Sequence, residues 1–307
     1  MNRTIRVGSR DSALAIIQAQ LVIDVVKKTN PALNFEIVTI KTTGDKILDK
    51  NLDSVGGKGL FIKEIEQALA DCSIDIAVHS YKDMPCEETE GLPVVALSER
   101  EAPFDVLVLP KGTTALENSK PVGSSSLRRT IQFAKLYDGF ETKAVRGNVP
   151  SRLSKLDNGE YSALLLAQAG LNRLSLQDRI SRVFTIEEML PCASQGILAV
   201  QGRQGEDYSF LDGFHNRVSE IVSKAERQFL KTLDGNCSSP VAVYGQLHNN
   251  ELLLTGMYVD ANGNMETGKI SGSIDRSELL GERLAVRLKF SNNALTGTEN
   301  FSIFGTN

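Results

Sequence analysis

TIRVGSRDSALAIIQAQLVIDVVKK, residues 4–28, is the stretch whose reading decides the fold class. TIRVGS (4–9) is a short β pattern, and from Ser12 to Lys28 apolar residues recur at helical spacing, with Asp11 or Ser12 placed to cap the helix. A strand that runs straight into an amphipathic helix is the unit from which α/β sheets are assembled. The unit recurs. FEIVTIKT (35–42) reads as the next strand, LFIKEIEQALAD (60–71) as a helix, and IDIAVHS (74–80) as a β-rich run ending in polar residues. Between them TTGDKILDKNLDSVGGKG (42–59) is long, polar and glycine-bearing, which predicts a mobile loop.

The same alternation starts again near residue 104. FDVLVLP (104–110), KPVGSSS (120–126), ETKAVRGN (141–148) and YSALLLAQAG (161–170) are strand candidates, with SLRRTIQFAKLY (126–137) and VPSRLSKLDNG (149–159) as helices between them. That predicts a second α/β lobe. GILAVQGR (196–203) reads as a strand, and HNRVSEIVSKAERQFLKTLDG (215–235) as a long amphipathic helix closed by Gly235. PVAVYGQL, ELLLTGMYV and GKISGSI are β patterns, and RSELLGERLAVRLKF (276–290) is a last helix, so a small α+β domain ends the chain.

Composition narrows the function classes. The 307 residues are 41% hydrophobic and 23% charged, enough to bury sizeable cores in two or three domains. MNRTIRVGSR enters a strand pattern with no apolar leader region, and no later run suits a membrane span, so a soluble cytoplasmic protein is expected. Four cysteines without C-x-x-C spacing and only three histidines argue against a disulfide framework and against a structural metal. A net charge of −4 gives nucleic-acid binding no general electrostatic support, which makes local basic clusters informative.

Three such clusters lie in the second lobe: GSSSLRR with Arg128 and Arg129, VRGNVPSR with Arg146 and Arg152, and GLNRL with Arg173. In each, a predicted strand ends in small residues and leads into a helix start or turn. Free backbone N–H groups and guanidinium forks can then converge on one anion. Any one arginine alone reads as a solvated surface charge; five at strand ends in an acidic protein read as a cleft. With 6% aromatics and no Trp, a small polyanion fits better than a nucleic-acid strand. In the first lobe VHSYKDMP sets His79, Lys82 and Asp83 just past a strand, where ligands bind in parallel sheets. A carboxylate there steadies a cation or exchanges a proton with a bound amine; equally, Asp83 caps a turn and His79 is a core residue. Arg10 and Ser12 reach the same crevice, as does Lys58 in GGKG, which lacks the full phosphate-loop frame and is no ATP site. Cys237, in LDGNCSSPVAVYG (233–245), is an inert buried thiol, a nucleophile or a covalent tether; no histidine signature supports the nucleophile.

VGSR.S.LA..Q (7–18), VGGKGLF.KE.E.AL (55–69), DIAVHS.KD.P (75–85), SSLRR (125–129), RGNV..RLSKLDNGEY.A (146–163), AGL.RL (169–174) and LDGNC before a Pro-containing strand together resemble the porphobilinogen deaminase (hydroxymethylbilane synthase) family, collinearly over essentially the whole chain. The resemblance implies an enzyme that joins four porphobilinogen molecules head to tail with loss of ammonia and releases hydroxymethylbilane by hydrolysis. It also implies a dipyrromethane primer held by a thioether to Cys237. Asp83 falls on the catalytic aspartate, which assists departure of the amine and stabilises the resulting azafulvene cation. Cofactor and substrate carboxylates are expected on Arg10, Ser12, Lys58, His79, Ser80, Lys82, Ser126, Arg128, Arg129, Arg146, Arg152, Arg173 and Gln195. Each pyrrole brings two carboxylates, which accounts for so many cations in one place.

The implied fold is two periplasmic-binding-protein-like (type II) α/β lobes plus a small α+β C-terminal domain. Domain 1 is expected over 1–98 and 196–214, domain 2 over 99–195 and domain 3 over 215–307, with 42–59 as a flap. A monomer is implied, with no nucleic-acid or membrane partner. The sequence departs from the family pattern at Ser54 for a flap lysine, Ser194 for a glycine, Gln201 for a glutamate, and at Gln168. The rivals are a dicarboxylate receptor on the same fold, which leaves the third domain unexplained, and a cysteine hydrolase, which wants a histidine.

Overall fold

A computed structural model describes residues 4–46, 62–235 and 239–290. The first β-then-α unit forms β1 (Thr4–Arg10) and α1 (Ala13–Thr29). Ser12 is the cap: its hydroxyl accepts from the Ala15 N–H at 3.3 Å and so satisfies one free donor of the first turn. Residues Ala15, Gln18, Ala19, Val22, Ile23 and Val26 form the buried stripe of α1, and Lys27 and Lys28 sit in the last turn, where the helix dipole favours cations.

β2 (Asn34–Ile40), α2 (Thr43–Lys46), α3 (Lys63–Ala70), β3 (Ile76–Ser80) and β4 (Val94–Leu97) follow. The second lobe contributes β5 (Asp105–Val108), β6 (Val122–Gly123), α4 (Leu127–Leu136), β7 (Thr142–Lys143), α5 (Val149–Asp157), β8 (Ala163–Ala167), α6 (Gln168–Arg173) and β9 (Arg182–Val183). The chain then makes β10 (Leu198–Gln201), α7 (Arg217–Thr232), β11 (Val241–His248), β12 (Glu251–Val259), β13 (Met265–Ser273) and α8 (Ser277–Phe290). The β4 segment, LPVVALS, carried no strand expectation.

The two lobes are built alike. The first sheet runs β2-β1-β3-β10-β4 and the second β7-β6-β8-β5-β9. In each five-stranded sheet four strands run the same way and one is antiparallel to both its neighbours: β10 between β3 and β4, β5 between β8 and β9. Both antiparallel strands arrive directly from the other lobe, so each sheet is completed by a segment that has just crossed between them. This is the two-lobed, type II periplasmic-binding-protein-like α/β architecture. Central strands buried on both faces read as apolar runs, which is why IAVH, DVLV and ALLL contain no alternation.

The third unit is the antiparallel sheet β11-β12-β13 with α7 and α8 packed on it. Gly281 permits the close crossing of the two helices, since a Cβ there would sit 2.2 Å from the Ala225 carbonyl oxygen. Its core is shared. Phe229, Leu254 and Leu284 belong to the same cluster as Tyr81, Met84, Ile197 and Ala199 of the first lobe. At the end of α7 the left-handed residue is Asp234 (φ 52°), not Gly235; a Cβ at 235 would meet a Leu230 δ-methyl at 2.5 Å and the Leu230 carbonyl oxygen at 3.2 Å, so a larger residue there needs the Leu230 side chain to shift.

Candidate functional site

The carboxyl ends of the parallel strands of both lobes carry the predicted polar residues, the place where open α/β sheets bind ligands. On the first lobe, β1 ends at half-buried Arg10 and β3 at Ser80, whose hydroxyl pairs with the buried Gln18 amide at 2.9 Å. Ser80 is followed by a single 3-10 turn, Tyr81–Asp83. Lys82 is half-buried and Asp83 exposed, so the Asp83 carboxylate faces open space instead of capping the turn. The Ser12 hydroxyl is committed to its helix.

On the second lobe the arginines separate into two kinds. Arg128 and Arg129 are buried and share Asp105: Arg128 Nη1 donates to Oδ2 at 2.6 Å and Arg129 Nε to Oδ1 at 2.8 Å. Burial alone would raise the Asp105 pKa, but the two guanidinium groups, with hydrogen bonds from Arg128 and Gln195, hold it well below the usual carboxylate range. Arg128 spends a further donor on the Leu190 carbonyl. Arg152 and Arg173 have carbonyl partners instead, Gly147 at 2.7 Å and Gly196 at 2.6 Å. Burial lowers Arg152 to about 10, helped by Arg129 and Arg146, while Asp83 on the opposite lobe works the other way. Burial likewise lowers Arg173 to about 10 against the pull of Glu101. Arg146 is half-buried beside them, and half-buried Ser126 stands at the start of α4.

Gln195 joins the lobes. It is 1% exposed, accepts from Lys82 Nζ at 3.3 Å, and donates to Asp105 at 3.0 Å and to the Pro103 carbonyl at 2.6 Å. Lys82 on one lobe is thereby linked through an amide to the Asp105–arginine cluster on the other. Asp105 was missed in the sequence; its signal was a carboxylate opening the fully apolar strand DVLV, which only a buried cation can justify.

His79 is set apart from the other candidates by its burial. It is 6% exposed inside β3, and burial drives its pKa down to about 4, with Arg10 adding to the effect and Gln201 opposing it. At neutral pH it is a neutral core residue whose Nε2 lacks a hydrogen-bond partner, so it offers no charge to a ligand. Ser194 also finds its reason: it holds φ at +59°, the region that suits the glycine of the family pattern, and its N–H donates to Glu226 at 2.7 Å. Gln201 donates to Glu66 and to the Leu92 carbonyl, both at 2.9 Å, so it ties lobe 1 together internally. Gln168 is half-buried at the start of α6, and its N–H donates to the Phe104 carbonyl at 3.0 Å. Cys237, Lys58 and Ser54 lie outside the described residues, as does the 42–59 flap beyond residue 46.

Residues 5–210 match the family model described as porphobilinogen deaminase, dipyromethane cofactor binding domain, and residues 221–289 match porphobilinogen deaminase, C-terminal domain. The chain belongs to the porphobilinogen deaminase family. A relative named porphobilinogen deaminase from Acetivibrio thermocellus is 54% identical over 284 residues, covering 92% of this chain and 97% of the relative. One of the same name from Alkaliphilus oremlandii is 52% identical, covering 93% and 96%. Among solved structures, the methionine-binding protein MetQ aligns with a TM-score of 0.43 at 15% identity over 69% of this chain and 88% of MetQ. In family terms the Asp105 cluster lies within the segment matched as cofactor-binding, and the third sheet with most of α7 and α8 lies within the C-terminal match.

Proposed function

We propose that the cleft between the two α/β lobes is the active site of a porphobilinogen deaminase, and that Asp83 and the arginines of the second lobe divide its work. The activity is that of a transferase: it polymerises four porphobilinogen molecules head to tail with loss of ammonia and releases hydroxymethylbilane by hydrolysis, in tetrapyrrole biosynthesis. The observation that carries the assignment of residues is the opposition of an exposed carboxylate, Asp83, to Arg152, half-buried with only a carbonyl partner, lowered by burial and by its neighbouring arginines and only partly offset by that carboxylate across the cleft.

The cofactor is dipyrromethane, and the polar residues suit it. A dipyrromethane carries four carboxylates, and Arg152 and Arg173 are guanidinium groups kept below their ordinary range by burial, a cost that a bound carboxylate relieves. When bound, it supplies the primer on which the chain is built, with Cys237 as its attachment point. Arg146, Arg152, Arg173 and Lys82 hold acetate and propionate groups, and Arg10 and Ser126 border the same opening. Arg128 and Arg129 act from behind through Asp105, which lowers their net charge from two to one. Asp83 receives the protonated amine of the incoming substrate, holds its proton as it leaves and opposes the positive charge that develops on the ring.

In this reading domain 1 comprises 1–98 and 196–214, domain 2 99–195 and domain 3 215–307, which the crossings before β5 and β10 support. A cytoplasmic monomer completes the reading, checked by light scattering and cell fractionation. No helix among the described residues is long and apolar enough to cross a membrane.

Supplying porphobilinogen and following ammonia and tetrapyrrole tests the activity. Intact mass in excess of the sequence mass, with a positive pyrrole colour reaction that Cys237→Ser abolishes, tests the tether. Asp83→Asn keeps the fold and the attached cofactor but loses most turnover; near-normal rates in that variant would refute the role given to Asp83.

A further inference from the structure

Asp83 stands on a turn that does little to hold itself. The 3-10 turn Tyr81–Asp83 is three residues long, and its own closing bond runs from the Met84 N–H to the Tyr81 carbonyl at 3.2 Å. The Asp83 side chain is exposed, so its place is set by the backbone beneath it. Tyr81 and Met84 on either side of it are buried in the shared core, and a cavity of about 520 Å³ lined among others by Tyr81, Cys86 and Lys231 lies beside the turn.

One side chain from the third domain ties down the carbonyls of this segment directly. Arg227 on α7 is 8% exposed. Its Nη1 reaches the carbonyls of Tyr81 and Met84 at 3.4 and 3.5 Å, its Nη2 donates to the Pro85 carbonyl, and its guanidinium carbon lies 4.2 Å from the Tyr81 ring centroid. Among the described residues no carboxylate pairs with it. A buried guanidinium that spends its donors on three carbonyls flanking one exposed acid, and stacks on the residue that opens the same turn, is placed to hold backbone. Its own helix is anchored by the preceding residue. Glu226 is fully buried and accepts from Arg100 at 2.9 and 2.6 Å, from the Ser194 N–H at 2.7 Å and from the Gly245 N–H at 2.7 Å. Two consecutive residues of α7 therefore grip both interlobe crossings and the Asp83 turn. Five residues after Arg227 the helix ends, and Cys237 follows five positions further along the sequence.

We propose that Arg227 is a positioning residue for Asp83: the third domain, through this guanidinium, fixes the acid relative to the cleft from the same helix that leads to the cofactor loop. The proposal rests on the assignment of Asp83 made above. It separates two kinds of kinetic change, because loss of the clamp misplaces an acid without removing a carboxylate-binding cation.

The test is a double-mutant cycle on the cofactor-loaded enzyme, with loading verified by intact mass. Arg227→Gln lowers kcat roughly 10- to 100-fold, the scale expected for a misplacement of about 1 Å, and leaves KM within about twofold. Arg227→Lys recovers part of the loss, because an ammonium reaches a carbonyl but cannot fork or stack. In the Asp83→Asn background Arg227→Gln costs nothing further. An unchanged kcat in Arg227→Gln, or the same fold loss in both backgrounds, overturns the clamp. Near-normal turnover in Asp83→Asn alone overturns the assignment of the acid instead, so the two failures are distinguishable. If Arg227→Gln does not fold, Arg227→Lys takes its place in the cycle and amide exchange over residues 81–86 must quicken relative to the rest of the lobe; unaltered exchange there overturns the proposal.

Discussion

Two sets of arginines in one lobe have opposite fates. Arg128 and Arg129 lean on a buried carboxylate, Asp105, that is itself held ionised by them. Arg152 and Arg173 have only carbonyl partners among their hydrogen bonds and sit below their ordinary pKa. The first set is paired by the protein's own carboxylate; the second, in the function proposed above, is completed by a ligand. A cluster of cations thus contains both the frame and the binding surface, and the carboxylate decides which is which.

The contrast is broken most severely at its centre. Asp105→Asn leaves two buried guanidinium groups without a counter-charge and is expected to cost about 3–5 kcal/mol, a fall in melting temperature on the order of 10 °C. Thermal unfolding measures it, and a change of a degree or two would mean that the arginines have another partner.

His79 supplies the third case, a buried ionisable group with no hydrogen-bond partner on Nε2. Its pKa falls from 6.5 to about 4 on folding. The unfolded chain therefore takes up this proton first, so stability is complete above about pH 6.5 and declines as pH falls toward 4. The decline amounts to roughly 3 kcal/mol from this group. Urea unfolding between pH 7 and 4.5 should flatten in His79→Phe; an unchanged slope removes His79 as its source.

Arg152→Gln and Arg129→Gln sharpen the contrast directly. The first is expected to lower kcat/KM by roughly 10- to 100-fold, through loss of one charged contact, with an unchanged or raised melting temperature. The second is expected to lower the melting temperature as well, because it unbalances Asp105. Equal thermal effects would erase the distinction between the two sets. The smallest change is at the hinge: Ser194→Gly removes a left-handed serine and is expected to shift stability by about 1 kcal/mol or less, since relief of strain is offset by the added freedom of the unfolded chain.

The sequence carried a good deal of this molecule openly. Helical spacing from Ser12 onward, a hydroxyl at the cap, and apolar runs in β3, β5 and β8 are local signals, read within one or two turns of chain. The same holds for LPVVALS in reverse: four strand residues with no alternation were overlooked, because β4 is defined by its partner β10, about a hundred positions away. Motif by motif the chain also announced its family and its cofactor.

What remained hidden was partnership. Arg128 and Arg152 look alike in sequence, each following a strand and small residues, and nothing local distinguishes a scaffold cation from a binding one. The difference comes from Asp105, brought beside Arg128 by the antiparallel insertion of β5, and from Gln195, which reaches Asp105 and Lys82 only once the chain has crossed between lobes twice. Arg227 is further still, 146 positions from the turn that it holds. Residue types, spacing and capping are determined by neighbours along the chain, so the sequence by itself determined the elements, the family and the list of ionisable candidates. Charge state, exposure and support depend on which distant segments are packed together in low dielectric, and those only the tertiary structure decided.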